Sequence, residues 1–291
     1  MREGGTGRVV IVTGSSGGIG GATAAALVRM GDHVVLACRN VEKAERVRRE
    51  ISAGKSGSAE VLRLDLASLR SVREFAEEFA SRHERLDVLV NNAGLFSRRG
   101  VVTEEGFEVH FGVMHLGHFL LTNLVLGMLR ASAPSRVVTV SAFGHRFVRG
   151  MGLDDLRAKE SPAPVAAYCR AKLAQVVFTR TLAEREAGSG VTAYSLHPGV
   201  IRTNLAGDIL PAAHAVGGLL PGPEEGARTS VYLATEPGIE RHSGRYFSYR
   251  TFLRSHAKGP VKASPLADDR GLAEKLWRVS AASCGLSWGS S

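Results

Sequence analysis

Tyr168 and Lys172 stand four residues apart, a spacing that projects both from one face of a helix. An ammonium beside a phenol favours the phenolate and draws a pKa of ~10 toward neutrality. Such a phenol can hand a proton to a carbonyl or take one from an alcohol. The pair alone is common helix decoration, so its meaning rests on its surroundings. Near the other end of the chain, Thr13-Gly14-Ser15-Ser16-Gly17-Gly18-Ile19-Gly20 follows a β-branched run and opens a helical one. There Gly14 permits a sharp turn, Gly18 lets backbone approach a pyrophosphate, and Gly20 allows close helix–strand packing. The helix N-terminus adds free N–H groups and partial positive charge. A glycine-rich turn can be only a turn; its place between strand and helix favours a dinucleotide.

The residues after the second β-branched run bear on which dinucleotide. Asp or Glu there would hold a ribose 2′-hydroxyl, whereas Arg accommodates a 2′-phosphate. The sequence reads Ala37-Cys38-Arg39-Asn40, with no acid before Glu42. Arg39 is therefore the candidate phosphate clamp, since a guanidinium meets phosphate bidentately. The plain alternative is a surface arginine at a helix start.

These residues need a scaffold, and the hydrophobic pattern supplies one. Short β-branched runs at Arg8–Thr13, His33–Ala37, Ala59–Leu64, Leu86–Val90, Arg136–Ser141, Val191–Leu196 and Gly244–Ser248 read as strands. Helical periodicity occupies Gly18–Met30, Glu42–Ser52, Leu69–Arg82, Phe107–Leu129, Val165–Arg185 and Glu224–Ala234. Strand–helix alternation with continuous Val/Ile/Leu strands predicts an α/β fold: a Rossmann-like, doubly wound parallel sheet of about seven strands, covered on both faces. With no repeat or low-complexity linker, residues 1–291 read as one dinucleotide-binding domain. Segments 143–167 and 204–223 break the alternation after strand ends, where ligands bind, and are expected to be substrate lids. Residues 251–291 form a C-terminal extension.

Composition narrows the function classes. The chain has 291 residues, 44% hydrophobic and 22% charged, enough for a core without disulfide or metal support. Cys38, Cys169 and Cys284 lack CxxC or Cys/His spacing, so a reduced, cytoplasmic setting is expected, with no metal site. The N-terminal residues are too short and polar for a signal peptide, and no membrane span is expected. The net charge of +9 raises nucleic acid as a partner. Arginine is spread through mixed-sign stretches such as Glu42-Lys43-Ala44-Glu45-Arg46, which read instead as solvated helix faces. No nucleic-acid partner is expected, and a homo-oligomer is left open.

The motifs together resemble the short-chain dehydrogenase/reductase family. The glycine-rich turn, Asp65-Leu66, Asn91-Asn92-Ala93-Gly94, Tyr168-Cys169-Arg170-Ala171-Lys172 and Pro198-Gly199-Val200 occur in family order and spacing across residues 8 to about 250. Leu36-Ala37-Cys38-Arg39-Asn40, His115-Leu116-Gly117-His118 and His197-Pro198-Gly199-Val200 are most similar to the retinol-dehydrogenase-like branch, which largely uses NADP. The resemblance implies Tyr168 and Lys172 as catalytic residues. It implies that Gly14, Ser16, Gly18, Ile19, Gly20 and Arg39 bind the cofactor. Asp65 and Leu66 would border the adenine, with Asn91, Ala93 and Gly94 lining the cofactor and Pro198, Gly199, Val200 and Thr203 around the nicotinamide. The family also carries a Ser that bonds the substrate oxygen and an Asn that helps hold a water linking the Lys to solvent. Those positions here hold Ala142 and Met114, side chains that offer neither function. Ser141 is one residue too early and faces the other way along a strand. His145 is the other candidate substitute donor, while His115 and His118 read as ordinary helix residues.

Three functions follow. The leading one is an NADP(H)-dependent oxidoreductase acting on a carbonyl or alcohol of a bulky apolar small molecule, with an atypical active site. The apolar stretch 205–220 motivates the substrate class, although it could instead contact a membrane surface or a second subunit. The second is a non-redox enzyme for dehydration, cyclisation or rearrangement that uses Tyr168 as acid or base. The third is an NADP-binding pseudoenzyme.

Overall fold

The computed structural model describes residues 7–154, 156, 163–202, 220–250, 255–256 and 259–287. Seven parallel strands form its centre: β1 (Val9–Thr13), β2 (His33–Cys38), β3 (Ser58–Arg63), β4 (Val88–Asn91), β5 (Ser135–Val140), β6 (Val191–His197) and β7 (Tyr246–Arg250). The two-residue β8 (Ser255–His256) pairs antiparallel with β7. Their order is β3-β2-β1-β4-β5-β6-β7-β8, so the winding reverses between β1 and β4. Connections there leave in opposite directions, opening a crevice at the carboxyl ends of the strands.

Alternation along each strand divides the apolar side chains between two cores. Val10, Val12, Val34, Val88 and Val138 face α1 (Gly18–Arg29) and α6 (Pro223–Thr235). Ile11, Val35, Leu89 and Val137 join the core of α3 (Leu69–Arg82), α4 (Val109–Ala131) and α5 (Pro164–Arg185). All nine are almost wholly inaccessible. Burying a Val or Leu side chain contributes roughly 1.5–3 kcal/mol, which explains strands that are apolar on both faces. α2 (Val41–Ser52) is different: only Ala44 is buried, and its charges face solvent.

The predicted elements recur with small shifts. β7 starts two residues late because Gly244, at φ +81°, makes a turn and donates its N–H to the Ala193 carbonyl at 2.7 Å. The extension contains a helix not expected as an element, α7 (Arg270–Ser283), capped by Asp269. Its Trp277 packs against Phe119 and Phe178, with ring centroids 5.1 and 5.7 Å away. Although no span is expected from the sequence, α4 is long and apolar enough to cross a membrane by length and composition. Of its most apolar window, 72% is buried inside the protein. It also contains a π-helical stretch, Gly112–Gly117. The first expected lid begins as a 3₁₀ turn, Phe143–Phe147, whereas Thr203 and most of the second lie outside the described residues.

Candidate functional site

The first group of site residues gathers at the reversal between β1 and β4. Gly14 has φ +67°, and a Cβ there would stand 2.8 Å from the Ala93 Cα. A Cβ on Gly20 would meet the Asn92 amide and stand 2.5 Å from the Gly14 carbonyl oxygen. Neither position has room for a side chain. Gly17 caps α1 without any side-chain hydrogen bond, as do Ala163 at α5 and Gly222 at α6, both with a proline in the first turn, whereas Asn40, Ser68 and Asp269 cap their helices with side-chain oxygens. The α1 donors thus face the crevice from bare backbone, as an anion requires. Thr13 ties the walls together: its Oγ1 accepts the N–H groups of Asn92 and Ala93, both at 2.9 Å.

Two cations flank this turn. Arg39 is exposed at the end of β2. Lys43, one turn into α2, puts its ammonium 3.6 Å from where a Gly17 Cβ would lie. Lys43 escaped the sequence reading, which treated it as part of a solvated face. Asp65 turns inward to accept from Ala67 N–H at 3.0 Å, and Leu66 is buried under Gly117. Among the described residues, the buried polar atoms without a partner include Asn91 Oδ1 and His197 Nδ1, at the last residues of β4 and β6. His197 immediately precedes Pro198 and Gly199. The cradle, bare donors, cations and orphaned atoms fit a dinucleotide.

The second group surrounds Tyr168. Tyr168 and Lys172 share one face of α5, with the ammonium 5.7 Å from the phenol ring centroid. Met114, Tyr168, Cys169 and Ala171 form an apolar cluster, and Ala142 packs against it. Both non-donor side chains therefore lie beside the phenol. The sequence reading expected Lys172 to pull the Tyr168 pKa down. In the protein alone, burial raises Tyr168 well above its usual range and lowers Lys172 to about 7. Desolvation dominates both shifts.

Neither candidate substitute donor is free. Ser141 Oγ donates to the Lys172 carbonyl at 2.7 Å. His145 Nε2 accepts the Ser264 N–H at 3.1 Å, so the proton sits on Nδ1, which donates to the Ala142 carbonyl at 2.7 Å. A backbone N–H can only donate and a carbonyl can only accept, so this tautomer is forced. His118 is not an ordinary helix residue. Its Nδ1 donates to the Met114 carbonyl at 3.0 Å and its Nε2 accepts from Thr13 Oγ1 at 2.9 Å, joining the two halves of the site. Burial lowers its pKa to about 4, and that of His197 likewise. His115 instead anchors α7 through Ser280 Oγ at 2.7 Å.

A cavity of about 240 Å³ opens beside this cluster, lined by Ser97, Arg99, Glu108, His110, Ala163 and Ala167. The His110 ring stands 6.2 Å from that of Tyr168, and its Nδ1 is 2.5 Å from Glu108 Oε1. No motif pointed to this pair. Far from the site, the fold also brings together His33, Glu60 and His83, a potential ligand cluster that linear spacing did not suggest.

Comparison with known proteins gives the same picture. The sequence profile of the family described as short chain dehydrogenase matches residues 8–213. Retinol dehydrogenase 14 of Homo sapiens is 44% identical, over 96% of this chain and 87% of that protein. A crystal structure of an uncharacterised protein from Mycobacterium paratuberculosis superposes with a TM-score of 0.80 at 35% identity, covering 98% of this chain and 96% of the other. A protein from Beutenbergia cavernae, described as an NAD(P)-dependent gluconate 5-dehydrogenase with NADP bound at low occupancy, gives 0.68 at 29%, covering 84% and 95%. One expectation is overturned. The retinol dehydrogenases that match are membrane-associated proteins, in conflict with a cytoplasmic assignment. Cysteine spacing and the lack of a recognised anchor, on which that assignment rested, do not report membrane association.

Proposed function

Since the chain belongs to the short-chain dehydrogenase family, whose members use NAD(P)(H), we propose that it is an NADP(H)-dependent oxidoreductase for the carbonyl or alcohol of a bulky apolar molecule, a retinol-like polyene alcohol being the model substrate. One observation carries the reading: the Tyr168–Lys172 face of α5 and the bare N-terminus of α1 meet at one carboxyl edge, linked through His118. In this reading residues 1–291 form one domain, with 143–167 and 204–223 as lids.

A bound nicotinamide supplies or removes the hydride. The chain supplies the rest. The α1 N–H groups bind the pyrophosphate, and Arg39 with Lys43 pairs the 2′-phosphate, favouring NADP. Tyr168 moves the proton to or from the substrate oxygen, while Lys172 holds positive charge behind it. The apolar wall of Met114, Ala142 and Cys169 excludes water and suits an apolar substrate. The exposed Phe143 and Phe147, with ring centroids 5.5 Å apart, extend that surface outward. Ala142 and Met114 mark an atypical catalytic set, in which the substrate oxygen has one side-chain donor, Tyr168.

The engagement of Ser141 and His145 favours a second reading, a non-redox step in which Tyr168 alone moves protons. Incubation with retinal separates the two: the main reading expects NADPH oxidation with alcohol formed in equal amount, and much slower turnover with NADH. Product without cofactor oxidation would replace it with the second reading.

A further inference from the structure

The family's Asn helps hold a water against the active-site lysine, and Met114 has no side chain for that task. The structure contains another arrangement at the same point. Lys172 Nζ donates to the Val140 carbonyl at 2.9 Å and to Gln175 Oε1 at 3.0 Å. Gln175 Nε2 donates to the Met114 carbonyl at 2.8 Å. Ammonium only donates and carbonyl only accepts, so the carboxamide has one permitted orientation. Lys172, Gln175 and Met114 are at least 98% buried, where an unpaired ammonium is costly. We propose that Gln175 is the positioning residue for Lys172, its carboxamide bridging the ammonium to the Met114 backbone in place of a water-holding asparagine.

This rests on the reading that Tyr168 and Lys172 do the chemistry, and it has a consequence of its own. A carboxamide holds a charge in place but is a poor proton relay. Lys172 is then a fixed electrostatic partner of Tyr168, cut off from solvent on the Met114 side. The other titratable groups facing it are Tyr168 on α5, His118 on α4 and His197 on β6.

The test follows the ¹³Cε resonance of Lys172 in lysine-labelled full-length protein, beside steady-state kinetics. Gln175→Glu puts a carboxylate on the ammonium and should raise its titration midpoint by a unit or more. Gln175→Leu should lower it and cut kcat by on the order of 10-fold or more, from one lost hydrogen bond to a charged group, with NADPH affinity within a few-fold. Gln175→Asn, with a shorter reach, should fall between Leu and wild type. Identical Lys172 titration in folded Glu and Leu variants, with Tyr168→Phe inactive, overturns the proposal and leaves the catalytic reading standing. Full turnover by Tyr168→Phe overturns that reading and this proposal with it.

A different observation carries a second inference, at the opposite, amino edge of the sheet. His33 opens β2, Glu60 lies on the edge strand β3, and His83 follows α3. Their ligand atoms lie within 4.8 Å of one another. Both imidazoles aim Nε2 at the same oxygen, Glu60 Oε1, from 3.2 and 2.5 Å. His33 Nδ1 bonds Ser58 Oγ at 2.7 Å, which holds the ring and can take its proton, leaving Nε2 as ligand. His83 stacks on Phe79 at 4.6 Å, and Arg82 approaches the other carboxylate oxygen at 3.5 Å. We infer that these three residues bind a divalent transition metal of the zinc class, three protein ligands leaving one tetrahedral position to water. Such an ion would fasten the end of α3 to the sheet edge without touching the catalytic site.

Zinc titrated into full-length protein should bind at one site per chain and raise the thermal midpoint by about a few degrees. His33→Ala/His83→Ala should abolish both effects, and Glu60→Gln should weaken binding about 10-fold or more. No binding by wild type, or equal binding by the double variant, overturns the site.

Discussion

Around Gly14–Gly20 the groups facing the crevice are backbone donors with no side-chain partner, flanked by two cations. Around Lys172 three polar side chains are already engaged, Ser141 with the Lys172 carbonyl, His145 with Ala142 and Ser264, and Gln175 with Lys172 and Met114, while His197 Nδ1 is not. The first half is built to receive an external anion. The second is a network of side chains bonded mostly to one another, with Lys172 beside the Tyr168 ring. Under the proposed function, the contrast teaches that binding and chemistry are set by different means, one by backbone conformation and the other by contacts between distant side chains.

The sharpest way to break that contrast is Tyr168→Phe. It should lower turnover by about 10²–10⁴-fold while NADPH affinity, measured by titration calorimetry, stays nearly unchanged. A comparable loss of affinity would mean the halves are one unit. The converse, Arg39→Ala, should weaken NADPH binding by about 10-fold or more, leave NADH binding alone and spare kcat. Equal affinity of wild type for the two cofactors would remove Arg39 and Lys43 from the account.

A rebuilt catalytic set sharpens the comparison further. Ala142→Ser with Met114→Asn should speed reduction of generic ketones by roughly 10-fold and slow turnover of the native substrate, because a hydroxyl would intrude on a wall shaped to Ala142. Met114 is fully buried, so the double variant is expected to lose some thermal stability. Faster turnover of the native substrate would show a merely weakened reductase.

The smallest effect is on pH. His115, His118 and His197 have folded pKa values of about 3, 4 and 4, below the ordinary 6.5. Between those values the unfolded chain binds more protons, so their stabilisation is complete above pH 6.5 and lost as pH falls toward 4. Lys172, at about 7 against 10.5, acts in the same direction at higher pH. Stability of the full chain should fall on acidification below 6.5. The slope in His197→Asn should be shallower by about one proton, read from denaturant unfolding at several pH values.

The same contrast governs what the sequence disclosed. Gly14, Gly18 and Gly20 are readable because backbone constraints leave a local residue signature, and β-branched runs place β1 to β6 to within two residues. The pairing of Gln175 with Met114 spans 61 residues and that of His145 with Ser264 spans 119. Nothing local marks either partner. Lys43 sits in a run of mixed charges that reads as a solvated helix face, and only the fold shows its ammonium beside Gly17. The tautomer of His145 required both of its partners. The phenol pKa was expected to fall because a nearby charge is visible in a motif, whereas burial is not.

The packing of α7 on α4 bears on how the polypeptide is made. Phe119 and Phe178 are covered by Trp277, and His115 by Ser280. α4 leaves the ribosome roughly 150 residues before α7 is complete, an interval of about 8–30 s at ordinary elongation rates. Until then this long apolar helix lacks part of its cover, and nascent chains should be at their stickiest in that window. Stop codons placed ahead of Arg270 should therefore yield aggregates and chaperone-bound protein rather than a weaker enzyme.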